Sequence, residues 1–312
     1  MNIAAKAGIR AIRIANGLIN TVVLIVILLL LAFGCYTVWD SGQVFGAASF
    51  THYEMFKPTA ENNAKAFKEL QAINSDVFAW LTVYGTNIDY PVVQGADNIK
   101  YVNTSAEGRH SLSGAIFLDY RSRADFSDFS SILYGHHMEA AAMFGEIGLF
   151  SAWDYFDARK YGTLYFDGQE HGLEFFAFVH ADAYDNSVFR VRVTGEDEQE
   201  AYLGLLMEMA MHTRKDVSVT IDDRIVLLST CSADSTNGRD ILIGKIVETI
   251  HSDPFAVETT APLIAIPVID ELGGSWVQAD LWVKIVLVAL PCVLVLLVIL
   301  MIFKKKPGEG VK

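Results

Sequence analysis

"VLLSTCSADSTNGRDILIGKIV", residues 226–247, places an apolar run on either side of a polar loop. Short runs dominated by Leu, Ile and Val and bounded by Ser, Asn, Gly and Asp read as strands. If the two strands are neighbours, the loop turns the chain back on itself. Cys231, ending the first strand, and Arg239, opening the second, then meet at one sheet edge. A cation beside a thiol lowers its pKa and stabilises an oxyanion that develops there. The plainer alternative is an ordinary hairpin whose Arg239 is solvated or paired with Asp234 or Asp240.

Working outward, short β-type segments precede this pair: "FAWLTVYG", "DYPVVQ", "GAIFLDY" and "SILYGHH". Gly85 and Gly95 punctuate them, and Pro91 suits a strand start or edge. "YGTLYFDGQEHGLEFFAFVHADAY" reads as a hairpin turning through "DGQEHG". Helical spacing occurs in "TAENNAKAFKELQAIN", with Ala64, Phe67, Leu70 and Ile73 on one side, and over 197–212, "DEQEAYLGLLMEMAMH". Tyr202, Leu206, Met209 and Ala210 share the inner face of the second helix, and Thr194 with Asp197 resembles a capping arrangement. "MEAAAMFGEIGLF" and "SAWDYFDAR" give shorter helical pieces. Many short strands without regular βα alternation predict a mostly β fold carrying helices, a closed barrel among the options.

Two uncharged or nearly uncharged runs flank this region: 17–36, "GLINTVVLIVILLLLAFGCY", and 281–303, "LWVKIVLVALPCVLVLLVILMIF". Each is long enough to cross a bilayer as a helix. Lys6, Arg10 and Arg13 precede the first, and Lys304, Lys305 and Lys306 follow the second, which puts both termini in the cytoplasm and the middle outside. The expected division is a cytoplasmic segment 1–16, a membrane helix 17–36, an extracellular spacer 37–59 and a folded exported domain 60–252. A connector 253–280, a second membrane helix 281–303 and a cytoplasmic tail 304–312 complete it.

Setting aside the eight basic residues and Glu309 in or beyond the two runs, totals of 24 basic and 37 acidic leave 16 and 36, a formal charge of −20. That balance argues strongly against nucleic acid as a partner and suits a cationic or amine-bearing one. Of the three cysteines, Cys35 and Cys292 fall in the membrane runs. Cys231 is therefore alone outside, where an intradomain disulfide is impossible and an unpaired thiol draws attention.

A thiol nucleophile needs a proton-transfer partner. Among eight histidines the informative pair is "LYGHHMEA", His136 and His137, with Gly135 allowing close approach. As a metal site the adjacent pair is weak, because neighbouring strand side chains diverge. The other histidines sit in no special local arrangement.

"LLSTC" at 227–231, Arg239 eight residues on, and "YGHHM" at 134–138 together resemble the signature of sortases, membrane-anchored cysteine transpeptidases. "YPVVQGADN" at 90–98, "SGAIFLDYRS" at 113–122 and the helix before the cysteine strand resemble the class B branch. The resemblance covers roughly 60–250; Leu227 departs from it, since the family often has Thr there. It implies a sortase-like closed β-barrel ectodomain flanked by two transmembrane helices. Cys231 would be nucleophile, His136 the acid–base and Arg239 the oxyanion partner, with Ser229 and Thr230 lining the substrate cleft and no metal or organic cofactor. The implied donors are secreted surface or pilin proteins with a C-terminal sorting motif, and the acceptor is an amine on pilin or peptidoglycan precursor. The second membrane run resembles pilus-building members. An exported cysteine protease and a non-catalytic surface scaffold are the competing classes.

Overall fold

Strands β8 (Arg224–Cys231) and β9 (Gly238–Val247) form where the quoted stretch places them, antiparallel and in register from Arg224↔Ile246 to Cys231↔Arg239. Their near-continuous apolar character has a structural cause: both faces are covered. Val226, Leu228 and Leu242 pack into one core, while Ile225, Leu227, Ile241 and Ile243 pack into a second beneath a helix. A strand buried on one side alternates, and one buried on both sides does not. Leu227, the departure from the family pattern, lies in the second core and is fully buried.

The computed structural model describes residues 3–59, 65–138, 141–231 and 237–256. In chain order the remaining elements are α1 (Ile3–Ala48), α2 (Lys65–Ile73), β1 (Val77–Val83), β2 (Asp89–Val93), β3 (Ile116–Leu118) and β4 (Ser130–Tyr134). Then come α3 (Trp153–Ala158), β5 (Tyr161–Phe166), β6 (Gln169–Asp182), α4 (Glu196–Met209) and β7 (Ala210–Thr213), before β8 and β9. Sheet order is β5-β1-β2-β3-β4-β8-β9-β6, and β6 pairs back onto β5, closing an eight-stranded barrel. Among the described strands β7 pairs with β6 alone, outside that closure. Closure removes the exposed strand edges that an open sheet of this size would carry.

The described residues fall into two units, one holding α1 up to residue 43 and the other holding the barrel from residue 44 onward. In the first unit α1 carries an apolar Gly8–Thr37 stretch, none of its core window buried, long enough to cross a membrane. The helix continues to Ala48, into the stretch expected as a spacer, and two short 3₁₀ turns (Phe50–His52, Glu54–Phe56) follow. Ala48 and Tyr53 are buried in the barrel unit's core. The second apolar run, 281–303, lies outside the described residues, as do Asp234 and Ala64.

Several local expectations change. The long hairpin turns through Asp167 and Gly168 alone, both at positive φ (50° and 79°), and "QEHG" belongs to β6. Two residues at positive φ match the twist of the flanking strands. α4 stops at Met209, and Ala210–Thr213 switches to a strand because β6 offers hydrogen-bond partners there. Tyr202 and Leu206 are buried as the helical spacing implies. Its N-cap is Gly195, and the N–H of Thr194 donates to Glu198 Oε2 at 3.2 Å, so no Thr194–Asp197 cap forms. α2 buries Phe67 and Leu70 but leaves Ile73 exposed. Among the described residues of "MEAAAMFGEIGLF", the helical ones belong to the 3₁₀ segment Ile147–Ser151.

Candidate functional site

The site is assembled by two pairings of β8. On one side β9 places Arg239 directly across from the backbone of Cys231. On the other, β4 runs parallel to β8 in a register ending at Tyr134↔Ser229, and the Gly135 N–H extends it to the Ser229 carbonyl at 3.2 Å. Two residues beyond the Tyr134↔Ser229 pair lie His136 on one chain and Cys231 on the other. The parallel pairing thus brings to one end of the sheet two segments that sequence separation hides. Gly135 is required there, since a Cβ would sit 2.7 Å from the Phe144 ring.

His136 is held from both sides. Its carbonyl accepts the Phe144 N–H at 3.0 Å, and its Nε2 lies 2.8 Å from the Val102 carbonyl. A carbonyl can only accept, so Nε2 carries the proton and Nδ1 is the nitrogen left for acid–base work. Nδ1 has no partner among the described residues. His137 instead forms a bridge with Met143.

Arg239 is half-buried, and among the described residues its guanidinium makes only one hydrogen bond, Nη1 to the Gly238 carbonyl at 2.9 Å. Asp240, the neighbouring carboxylate, pairs instead with His180 Nδ1 at 2.8 Å. The paired-hairpin alternative with Asp240 is therefore not the arrangement present.

His136 and Arg239 border a cleft of about 390 Å³. Tyr134, Gly135, His136, Ser229, Thr230 and Arg239 line it together with Asn98, Val102, Ala115 and Phe117 on the β2–β3 side. Ala183 and Phe189, from the segment between β6 and α4, supply the opposite wall. Ser229 and Thr230 are 1% and 2% exposed, and neither hydroxyl finds a hydrogen-bond partner among the described residues. Unpaired buried hydroxyls cost about 1–3 kcal/mol each, a cost that a bound ligand can remove.

Sequence reasoning missed Asn98, Tyr134 and the buried Asp119 that joins them. Nδ2 of Asn98 donates to Asp119 Oδ2 at 2.9 Å, and the Tyr134 hydroxyl donates to the same oxygen at 3.2 Å. Burial, reinforced by the Asp119 charge, pushes the Tyr134 phenol well above its ordinary range and keeps it a donor. Burial by itself raises the Asp119 carboxyl, but hydrogen bonds from Arg121 and Asn98 outweigh it and hold the group below 3.8. The signal was present in "SGAIFLDYRS", which spans Asp119 without revealing what it contacts.

A closed eight-stranded barrel of this kind is the fold of the sortases. The chain is 31% identical to sortase B of Staphylococcus aureus over 212 residues, 66% of this chain and 82% of that protein. Among solved structures, sortase B from the type II pilus of Streptococcus pneumoniae shares 46% identity with a TM-score of 0.52, covering 59% of this chain and 99% of that one. A class B sortase of Streptococcus pyogenes involved in pilus biogenesis shares 41% identity with a TM-score of 0.53, covering 58% and 97%. No protein-family model matches the chain. The chain belongs to the class B sortases, and it is a sortase-type cysteine transpeptidase.

Proposed function

We propose that Cys231, His136 and Arg239 carry out the transpeptidation, with Ser229 and Thr230 contacting the donor peptide. The supporting observation is the double register of β8, which sets Arg239 opposite Cys231 and leads the β4 chain into His136 at the same sheet end. The Cys231 thiolate adds to the backbone carbonyl carbon of a sorting signal, forming a C–S bond. Arg239, free of any described carboxylate, neutralises the charge that moves onto the carbonyl oxygen. The C–N bond then breaks as Nδ1 of His136, protonated at this stage, gives its proton to the leaving amine, and a thioester remains. An incoming amine gives a proton back to Nδ1, forms the new C–N bond and expels the thiolate. Bonds and protons balance over the cycle.

The donor in this reading is a secreted protein with a C-terminal sorting motif, and the acceptor is a lysine amine on a pilin subunit. Two solved relatives described as pilus sortases support that acceptor over a peptidoglycan amine. The apolar Gly8–Thr37 helix supports membrane anchorage, which raises the effective concentration of a site facing membrane-held substrates. The second membrane helix, the exported placement of the barrel and the cytoplasmic termini belong to the same proposal, as does the division of the chain given above.

The test is mass-spectrometric capture of an acyl adduct on the full chain offered a panel of sorting peptides. Pilin lysine peptides or peptidoglycan stem peptides then serve as acceptors. An adduct on Cys231, absent from C231A and converted to an amide by the pilin lysine, is the expected result. Conversion only by stem peptides reassigns the acceptor. Release of free acid whatever the amine makes the chain a protease, and no adduct with any peptide overturns the mechanism.

A further inference from the structure

Asp119 is fully buried, yet its carboxylate sits among donors on every side. Oδ1 accepts the Arg121 backbone N–H at 3.0 Å and Arg121 Nε at 2.9 Å. Oδ2 accepts Arg121 Nη2 at 2.8 Å, Asn98 Nδ2 at 2.9 Å and the Tyr134 hydroxyl at 3.2 Å. These donors saturate the acceptor capacity of one carboxylate.

Two of those donors line the cleft, and they come from different elements: Asn98 from the β2–β3 connection, Tyr134 from the end of β4. The Asn98 amide is committed at both ends, because its Oδ1 accepts the Tyr120 N–H at 3.0 Å. Arg121 carries the link further. Its carbonyl accepts Arg192 Nε at 3.0 Å, in the segment bearing Phe189, whose ring lies 6.5 Å from that of Tyr134. One buried anion therefore ties the cleft floor to both walls.

Stability alone does not account for this arrangement. A buried ion pair is commonly no better than well-packed apolar residues of the same volume, whereas removing one partner is strongly destabilising. What the carboxylate adds is fixed orientation of the groups that donate to it.

We infer that Asp119 is a positioning residue for donor-peptide recognition, holding Asn98 and Tyr134 at a set spacing across the cleft so that their exposed faces meet the sorting peptide. This rests on the reading of the cleft as the sorting-peptide site. Asp119 touches neither the peptide nor the reacting atoms and acts through its two donors. Asp119→Asn keeps the volume but introduces an NH₂ group toward Arg121 or Asn98, both of which are donors themselves.

The experiment compares D119N with the parent, as full chains in detergent, measuring kcat and KM for a sorting peptide at fixed acceptor amine. The alkylation rate of Cys231 by iodoacetamide, a reagent too small to need the cleft walls, is measured alongside. The expected result is a roughly tenfold rise in peptide KM, the scale set by one lost buried hydrogen bond, with kcat and alkylation close to the parent. An unchanged KM overturns the inference, as does a loss confined to kcat and alkylation. Where D119N does not fold, Arg121→Gln decides, since Arg121 is exposed on its outer side: a raised KM supports the inference and an unchanged one overturns it. A parent that turns over no sorting peptide sinks the functional reading and this inference with it, whereas an active parent with an indifferent D119N sinks this inference alone.

Discussion

Arg239→Ala separates the roles that a cation can have beside a thiol. Direct cross-strand partners have Cβ atoms about 5 Å apart, and Cys231 and Arg239 are such partners. The guanidinium borders the cleft and has no described carboxylate to neutralise it, so its charge is available to the reaction. At about 6 Å from a developing oxyanion and an effective dielectric of about 20, one unit charge contributes about 3 kcal/mol. Each factor of ten in rate is about 1.4 kcal/mol, so R239A is expected to lower kcat/KM about 100-fold. Loss of a hydrogen bond to the oxyanion brings the fall toward about 1,000-fold. R239K keeps the charge and loses the planar fork, and falls between parent and R239A. Activity is followed as amide product from a sorting peptide and an amine, with alkylation of Cys231 against pH on the same samples. An alkylation midpoint raised in R239A assigns part of the effect to thiolate stabilisation, and an unchanged midpoint assigns all of it to the oxyanion. A folded R239A with parental kcat/KM refutes the reasoning.

His136→Ala removes the acid–base group proposed for the site at the end of the β4–β8 pairing and is expected to slow amide formation by about 10²–10⁴-fold; parental turnover in that variant ends the assignment. Arg214, buried between α3 and the barrel, donates to the carbonyls of Phe175, Phe156 and Asp157 and stacks over the Phe156 ring. Arg214→Leu orphans those carbonyls, so a loss of about 3 kcal/mol and a Tm lower by about 6–12 °C are expected, and an unmoved Tm in a melting scan contradicts this. Asp119 gives a pH signature, because Arg121, Tyr134 and Asn98 are the groups facing it and its folded pKa lies below 3.8. The stability it confers is fully present above 3.8 and is lost as pH falls through the depressed folded value. The parent's Tm advantage over D119N should therefore hold at neutral pH and shrink in acid, and a gap that widens in acid refutes the sign.

The β8–β9 hairpin was legible because both strands are local in sequence and their apolar runs are bounded by turn residues. Its continuous hydrophobicity also had a meaning visible only afterward: Leu227 and Leu228 point into different cores. The end of α4 was not legible. Met209 and Ala210 continue a helical pattern, yet the chain becomes a strand at Ala210 because β6 presents an unpaired edge beyond β5. Intrinsic preference yields to a hydrogen-bond partner supplied from elsewhere. The same holds for "DGQEHG", where two residues suffice to turn and pairing with β5 claims the rest.

By itself the chain's order of residues determined the strand-rich class, the apolar helix near the start and the cross-strand placement of Cys231 and Arg239. These follow from patterns a few residues long, where hydrophobic period and turn chemistry act directly. Only the tertiary structure decided that β4 lies parallel to β8, which brings His136 level with the cysteine strand, and that Asp119 gathers Asn98, Arg121 and Tyr134. Parallel pairing and buried polar hubs join segments far apart in the chain, and their free energy comes from closing the barrel around them. No local signal encodes that.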